Sequence, residues 1–115
     1  MSRDPSLYLA DIEESCRLIL EYIGGLSAKE LLDDRKTLDA VIRNMEVIGE
    51  AVKRLPKSTA DRRPDIEWRK IAGIRDVLID GYFGIDPNIV WDAEVNKVPH
   101  LLGAIVELRT GRDER

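Results

Sequence analysis

The chain has 115 residues, 43% of them hydrophobic and 35% charged, which fits one domain over residues 1–115 that can bury roughly two-thirds of its unfolded surface. No apolar run approaches the roughly 18 residues a membrane span needs, and the start Met1-Ser2-Arg3-Asp4-Pro5 lacks an apolar leader core, so a cytoplasmic location is expected. A net charge of −4 argues against indiscriminate binding of polyanions.

Asp4-Pro5 reads as an N-cap followed by proline at the first helical position. Tyr8, Ile12, Cys16, Ile19 and Ile23 then recur at helical spacing and mark one buried stripe. Gly24-Gly25 stops this helix, and Ser27-Ala28-Lys29-Glu30 is a capping box that opens a second, short one. A third helix is predicted from about Lys36 to Leu55, where Leu38, Val41, Ile42, Met45, Ile48, Val52 and Leu55 repeat at three and four residues; Pro56 ends it. Lys57 to Pro64 is polar and non-periodic, hence an exposed loop. Asp65 is expected to cap a fourth segment in which Trp68, Ile71, Ile74, Leu78 and Tyr82 form an apolar stripe. Gly81 and Gly84 loosen its end. Asp86-Pro87 repeats the cap-and-proline device for a last helix through Trp91 and Val98, which Pro99 should kink or restart before Leu101, Leu102, Ile105 and Leu108. The tail from about residue 110 to 115 reads as frayed. No run alternates cleanly enough for a strand. The reading is an all-α up-down bundle of about five helices, and small bundles of this kind often self-associate, so a homodimer is expected.

The chemistry open to this chain is narrow. A single cysteine, Cys16, and a single histidine, His100, exclude an internal disulfide, a zinc cluster and most hydrolytic triads. No Gly-rich phosphate loop occurs, and neither a metal nor a cofactor is expected. Cys16 lies on the apolar stripe and reads as a buried structural thiol; His100 reads as a surface or interface residue. Trp68 and Trp91 read as core anchors, since an aromatic content of 5% makes a poor base-stacking platform. Charge is uneven along the chain. From Arg43 to Arg75 there are nine Lys/Arg against five acids, so this segment carries +4 and the remainder −8. A basic surface on an acidic chain suits a specific anionic ligand.

Three polar residues stand out beside the fourth apolar stripe: Arg75, Asp80 and Tyr82. On a helical wheel Arg75 and Tyr82 fall about 20° apart at the stripe's edge, while Asp76 and Asp80 form an i, i+4 pair further round. The pattern Arg-x4-Asp-x-Tyr closely resembles the Arg-x4-His-x-Tyr signature of HEPN-domain proteins of the HepT toxin type, with Asp80 where that family has histidine. Arg43-Asn44-Met45-Glu46-Val47-Ile48-Gly49-Glu50-Ala51, the Trp68-x-x-Ile71 lead-in, Tyr82-Phe83-Gly84-Ile85-Asp86 and Val90-Trp91 are similar to the same proteins. The likeness runs from about Pro5 to Leu108.

This resemblance implies a helical HEPN domain that dimerises around a shared cleft. It implies a metal-independent endoribonuclease acting as the toxin of a toxin–antitoxin pair. The partner would be an MntA-like minimal nucleotidyltransferase antitoxin, able to transfer AMP onto the motif tyrosine. Carried over by position, Arg75 is the motif arginine, Asp80 holds the place of the catalytic histidine, and Tyr82 is the AMP acceptor. Asp76 fills the polar position after the arginine, and Arg43, Arg69 and Lys70 would help guide RNA. An aspartate, with a reference pKa of about 3.9, is an anion beside a phosphodiester and cannot act as a general acid near neutral pH. Little or no ribonuclease activity is therefore expected of this chain. Asp80 reads equally as an inactivating change in a harmful toxin or as natural degeneration. The alternatives are a non-catalytic helical module that binds a nucleotidyltransferase, with Tyr82 its modification target, and a stand-alone dimer that binds nucleotides or small anions.

Overall fold

The computed structural model describes residues 4–74, 91–92 and 96–110. The first helix, α1 (Pro5–Ile23), begins where Asp4 accepts a hydrogen bond from the Ser6 backbone N–H at 2.9 Å, with Pro5 in the first turn where its missing N–H costs nothing. It ends at Gly24, and the following Gly25 takes φ 81°, a left-handed conformation that glycine adopts without penalty. The Ser27/Glu30 capping box forms as predicted, with reciprocal bonds of 3.1 and 2.9 Å opening α2 (Ala28–Asp33). Asp34, which the sequence reading passed over, then caps α3 (Arg35–Lys53) by accepting from the Thr37 N–H at 3.1 Å and hydroxyl at 2.7 Å.

Two expectations need correcting here. Lys57 to Pro64 is not loop throughout: Lys57–Ala60 is a single helical turn, α4, started by Pro56 and braced by a Lys57–Asp61 pair at 2.8 Å. Proline is well suited to open a turn of helix, so it both ends α3 and begins α4. Asp65 does not cap the next helix. The helix α5 (Trp68–Ala72) is preceded by Glu67, which makes no side-chain capping bond, because the Asp65 carboxylate is engaged by Arg63 instead.

The last element described is α6 (Val98–Thr110). Residues 91–92 are helical, and a π turn at 96–97 leads straight into α6. The expected disturbance at Pro99 therefore lies just before the proline, where the widened turn accommodates a residue with no N–H to donate.

α1 packs against both α3 and α6, α2 lies on α3, and α5 lies on the far part of α3. The short connection through α2 turns α3 back along α1. No strand occurs among the described residues, and the architecture is an all-α bundle. Its core is the predicted stripes brought together: Ile12, Cys16 and Ile19 from α1, Val41 from α3 and Ile105 from α6 are all fully excluded from solvent. Full burial of one such aliphatic side chain contributes about 1.5–3 kcal/mol. Burial pushes the Cys16 thiol up to about 12, as befits a structural cysteine. Trp68 and Trp91 pack against this core while staying partly exposed. None of the helices described is long and apolar enough to cross a membrane.

The exterior is laced with helical ion pairs. Arg17–Glu13, Arg35–Asp39 and Arg54–Glu50 each join residues four apart at 2.9 to 3.0 Å. A tertiary pair, Arg109–Glu13 at 2.8 Å, ties α6 to α1. Partial burial opposes the Glu13 charge, yet Arg17 and Arg109 together hold its carboxyl below the usual range.

Candidate functional site

Arg75, Asp76, Asp80 and Tyr82, the motif residues, lie outside the described residues. What the structure shows is the platform that ends at Ile74, the residue before that stretch, and Trp91 after it, which packs against the core.

The platform is α5 on α3. Met45, Ile48, Gly49 and Val52 share one face of α3, and about 100° per residue sets them together. Gly49 is the point of closest approach. A Cβ built on it would stand 2.9 Å from Ile74 Cγ2, 3.2 Å from the Ile71 carbonyl oxygen and 3.7 Å from that of Ala72. Only a residue without a side chain lets the α5 backbone sit this near. The sequence reading quoted Gly49 for the resemblance and gave it no role; a lone glycine within a periodic helix was the available signal.

α5 is anchored at its other end by Trp68. The indole N–H donates to the Ala60 carbonyl at 3.0 Å and to that of Arg63 at 2.9 Å. One donor thus fastens α5 to the turn after α4. Beside it sits a charged network. Arg63 grips Asp65 with two bonds, 2.9 Å from Nε and 2.7 Å from Nη2. Its Nη1 reaches Glu107 on α6 at 3.3 Å, an ion pair without hydrogen-bond geometry. His100 Nε2 lies 3.1 Å from the same Asp65 carboxylate. The Arg63 guanidinium beside Asp65 is the main reason its carboxyl falls to about 2. His100 is thus a surface histidine, as predicted, now with a named partner.

A cleft of about 600 Å³ opens between α3, α5 and the start of α6. Its floor is aliphatic, including Met45, Ile48, Ile71 and Ile74, and its rim carries Asp65, Lys70, Lys97 and His100. Lys70 is paired with Glu67 at 2.9 Å, whereas exposed Arg69 has no ion-pair partner among the described residues. Arg43 is also exposed and unpaired among them, and it lines a different cleft of about 530 Å³ with Tyr8, Asp11 and Glu46. The positions 43, 47, 50 and 54 that line this second cleft lie about 180° around α3 from the face that seats α5. Of the three cations named for guiding RNA, α5 carries Arg69 and Lys70 together; Arg43 stands on the other side of α3. No group of three or more His, Cys, Asp or Glu with metal-holding geometry occurs among the described residues.

Comparison with known proteins agrees with the resemblance carried by the motif. The family described as "Ribonuclease HepT-like" matches residues 12–108. "Putative RNase MJ0127" of Methanocaldococcus jannaschii is 42% identical over 106 residues, 92% of this chain and 88% of that protein. "Probable ribonuclease HepT" of Thermococcus cleftensis is 40% identical over 109 residues, covering 95% of this chain and 99% of its own length. "Putative RNase TTE0752" of Caldanaerobacter subterraneus subsp. tengcongensis is 35% identical over 106 residues, 92% of this chain and 95% of that protein. No solved structure matches the chain significantly.

Proposed function

Because the chain belongs to the HepT-like ribonuclease family, we propose that it is the RNA-directed toxin component of a toxin–antitoxin pair, disarmed as a nuclease by Asp80. The observation that carries this reading is Arg75-x4-Asp80-x-Tyr82, which falls within the family match at residues 12–108.

RNA cleavage of the proposed kind has the neighbouring 2′-hydroxyl attack phosphorus while the 5′-oxygen leaves, giving a 2′,3′-cyclic phosphate and a free 5′-hydroxyl. One group must take the 2′-hydroxyl proton, another must supply one to the leaving oxygen, and a cation must offset charge on the crowded phosphate. Arg75 suits the last task, since guanidinium stays charged and pairs bidentately with phosphate oxygens. A histidine at position 80 would titrate near neutral pH and serve proton transfer. Asp80 holds a negative charge there instead. It repels the phosphodiester and has no proton to give. Arg69, exposed on α5 and without an ion-pair partner among the described residues, supports an anionic ligand approaching this end of the molecule.

The remaining parts of the reading are a homodimer that brings two copies of the motif to one cleft, and an MntA-like nucleotidyltransferase partner that modifies Tyr82. A second reading is favoured by Asp80 itself: a non-catalytic module that binds the nucleotidyltransferase and accepts AMP on Tyr82.

The test compares this chain with Asp80→His for bacterial growth and for cleavage of a structured RNA without added metal. The disarmed-nuclease reading expects histidine to confer both toxicity and cleavage while Asp80 shows neither. Two folded, dimeric and inert proteins would end the nuclease reading and leave the partner-binding module.

A further inference from the structure

We propose that the outward side of α1, with the cleft beside it, docks a basic amphipathic helix of a partner protein. The proposal is independent of the nuclease reading and concerns the side of α3 away from α5.

At about 100° per residue, Leu7, Asp11, Glu14, Leu18, Glu21 and Tyr22 fall within one arc of about 100° on α1, roughly opposite its buried stripe. Leu18 stands about three turns after Leu7 and Tyr22 about one turn further, so the apolar line runs about 22 Å along the helix. Leu7 is 46% exposed and Tyr22 38%, two of the three large hydrophobic side chains exposed among the described residues. Leu18 between them is half-buried. Exposed apolar side chains scattered singly are ordinary. These are aligned.

The same arc holds three acids and no cation. Glu14 and Glu21 are exposed and have no ion-pair partner among the described residues. The neighbouring Arg17 is taken up by Glu13 at 2.9 Å. Tyr8 and Asp11 carry this side of α1 into the cleft of about 530 Å³, where Val47 and Ala51 of α3 supply apolar surface. The cleft's other charged residues are Arg43, Glu46, Glu50 and Arg54, with Arg54 bonded to Glu50 at 3.0 Å. Across arc and cleft, five acids stand against two cations. A surface of this sign repels phosphate, so nucleic acid is not its ligand. A second copy would set like charge against like charge. A partner whose lysines or arginines flank an apolar ridge satisfies both features. A helix presents such a ridge straight along α1, with anchors at i, i+4 and i+7, and one anchor side chain fits the cleft beside Tyr8.

The probe is a synthetic peptide of repeated Leu-Lys-Lys-Leu-Leu-Lys-Leu heptads, with a second peptide carrying Glu in place of every Lys. Each is titrated into the whole chain and followed by amide NMR at about 0.15 M salt, where exposed charges more than about 8 Å apart are screened. The basic peptide is expected to shift amides of α1 and of the α3 face beside it, and to leave those of α2 and α5 in place. Glu14→Lys should weaken its binding about tenfold or more, and Leu7→Ser with Tyr22→Ser by a similar factor. Asp33→Lys, an equal change of charge on exposed α2, should weaken it less than about twofold. Circular dichroism checks the fold of each variant; should the double serine variant not fold, Glu14→Lys against Asp33→Lys decides. Shifts spread over the whole surface, equal losses from Glu14→Lys and Asp33→Lys, equal binding of the acidic peptide, or no binding at about millimolar peptide would overturn the proposal. So would a dimer of this chain that Leu7→Ser with Tyr22→Ser converts to monomer in sedimentation, because the face would then belong to a second copy.

Discussion

The α1–α3–α6 scaffold and the α4–α5 layer are held by different means. In the scaffold, side chains from three helices meet in a core where Ile12, Ile19, Val41 and Ile105 see no solvent. The α4–α5 layer contributes no fully buried residue from either helix, with only Ile66 between them in the core. Among the described residues its attachments are the partly buried Trp68, Ile71 and Ile74 packed against that core, one indole N–H, one glycine contact and the Arg63–Asp65 pair with its neighbours. Apolar burial is spread over many atoms and is insensitive to the exact position of any one. Hydrogen bonds and close backbone contacts are few and position-dependent. Ile74, the last residue described before the motif, stands at the end of the second kind of region.

The largest expected effect comes from breaking the scaffold. Ile19→Ala should lower the unfolding free energy by about 2–5 kcal/mol, through lost burial plus the cavity left behind. Urea denaturation followed by circular dichroism measures it. Loss of helix and loss of the Trp68 environment should coincide, because α5 has nothing to stand on once α3 goes. If the tryptophan signal outlasts the helical one, the two regions are less dependent than their contacts imply.

A much smaller effect sets Gly103 of α6 against Gly49. Gly103 is exposed and, among the described residues, unopposed within α6, so Gly103→Ala should stabilise by about 0.5–1 kcal/mol through helix propensity alone. A rise in the thermal midpoint reads this out. A fall there would mean that space is scarce on α6 as well, and the singling out of Gly49 would lose its basis.

Legibility followed the same division. Periodicity finds spread-out apolar stripes, so Ile12, Cys16, Ile19, Val41 and Ile105 were all readable as core before any coordinates, and so were the Asp4 cap and the Ser27/Glu30 box. Both devices are local in sequence. What escaped depended on partners far along the chain or on competition for one side chain. Asp65 reads as a cap by position, yet Arg63 two residues earlier holds it and His100 shares it across 35 positions. Polar, non-periodic Lys57–Pro64 hid a turn of helix because four residues are too few to show a period. Gly49 carried its meaning in the path of α5, which no pattern in α3 reveals. The motif positions Arg75, Asp76, Asp80 and Tyr82 were legible only as a family signature.

The subtlest break in the comparison is by acid. The Asp65 carboxyl is lowered from 3.8 to about 2, first by its hydrogen bonds from Arg63. A carboxyl whose folded value lies below its unfolded one contributes stability above the unfolded value and loses it as pH falls through the folded one. The window is therefore from about pH 4 down to about pH 2. Asp65 is exposed, so screening keeps the energy small, and its signature is local rather than global. The Trp68 indole N–H, fastened to the Arg63 carbonyl beside this pair, should lose exchange protection across that window sooner than the α1 core amides, after correction for intrinsic rates. In Asp65→Asn the bidentate pairing of two full charges is gone at every pH, so protection should begin lower and its dependence on acid should flatten. Equal acid slopes in both proteins would show that the α4–α5 layer is held by the indole bonds and the packing of Trp68, Ile71 and Ile74 on the core, with the Arg63–Asp65–His100 group a solvated ornament of the surface.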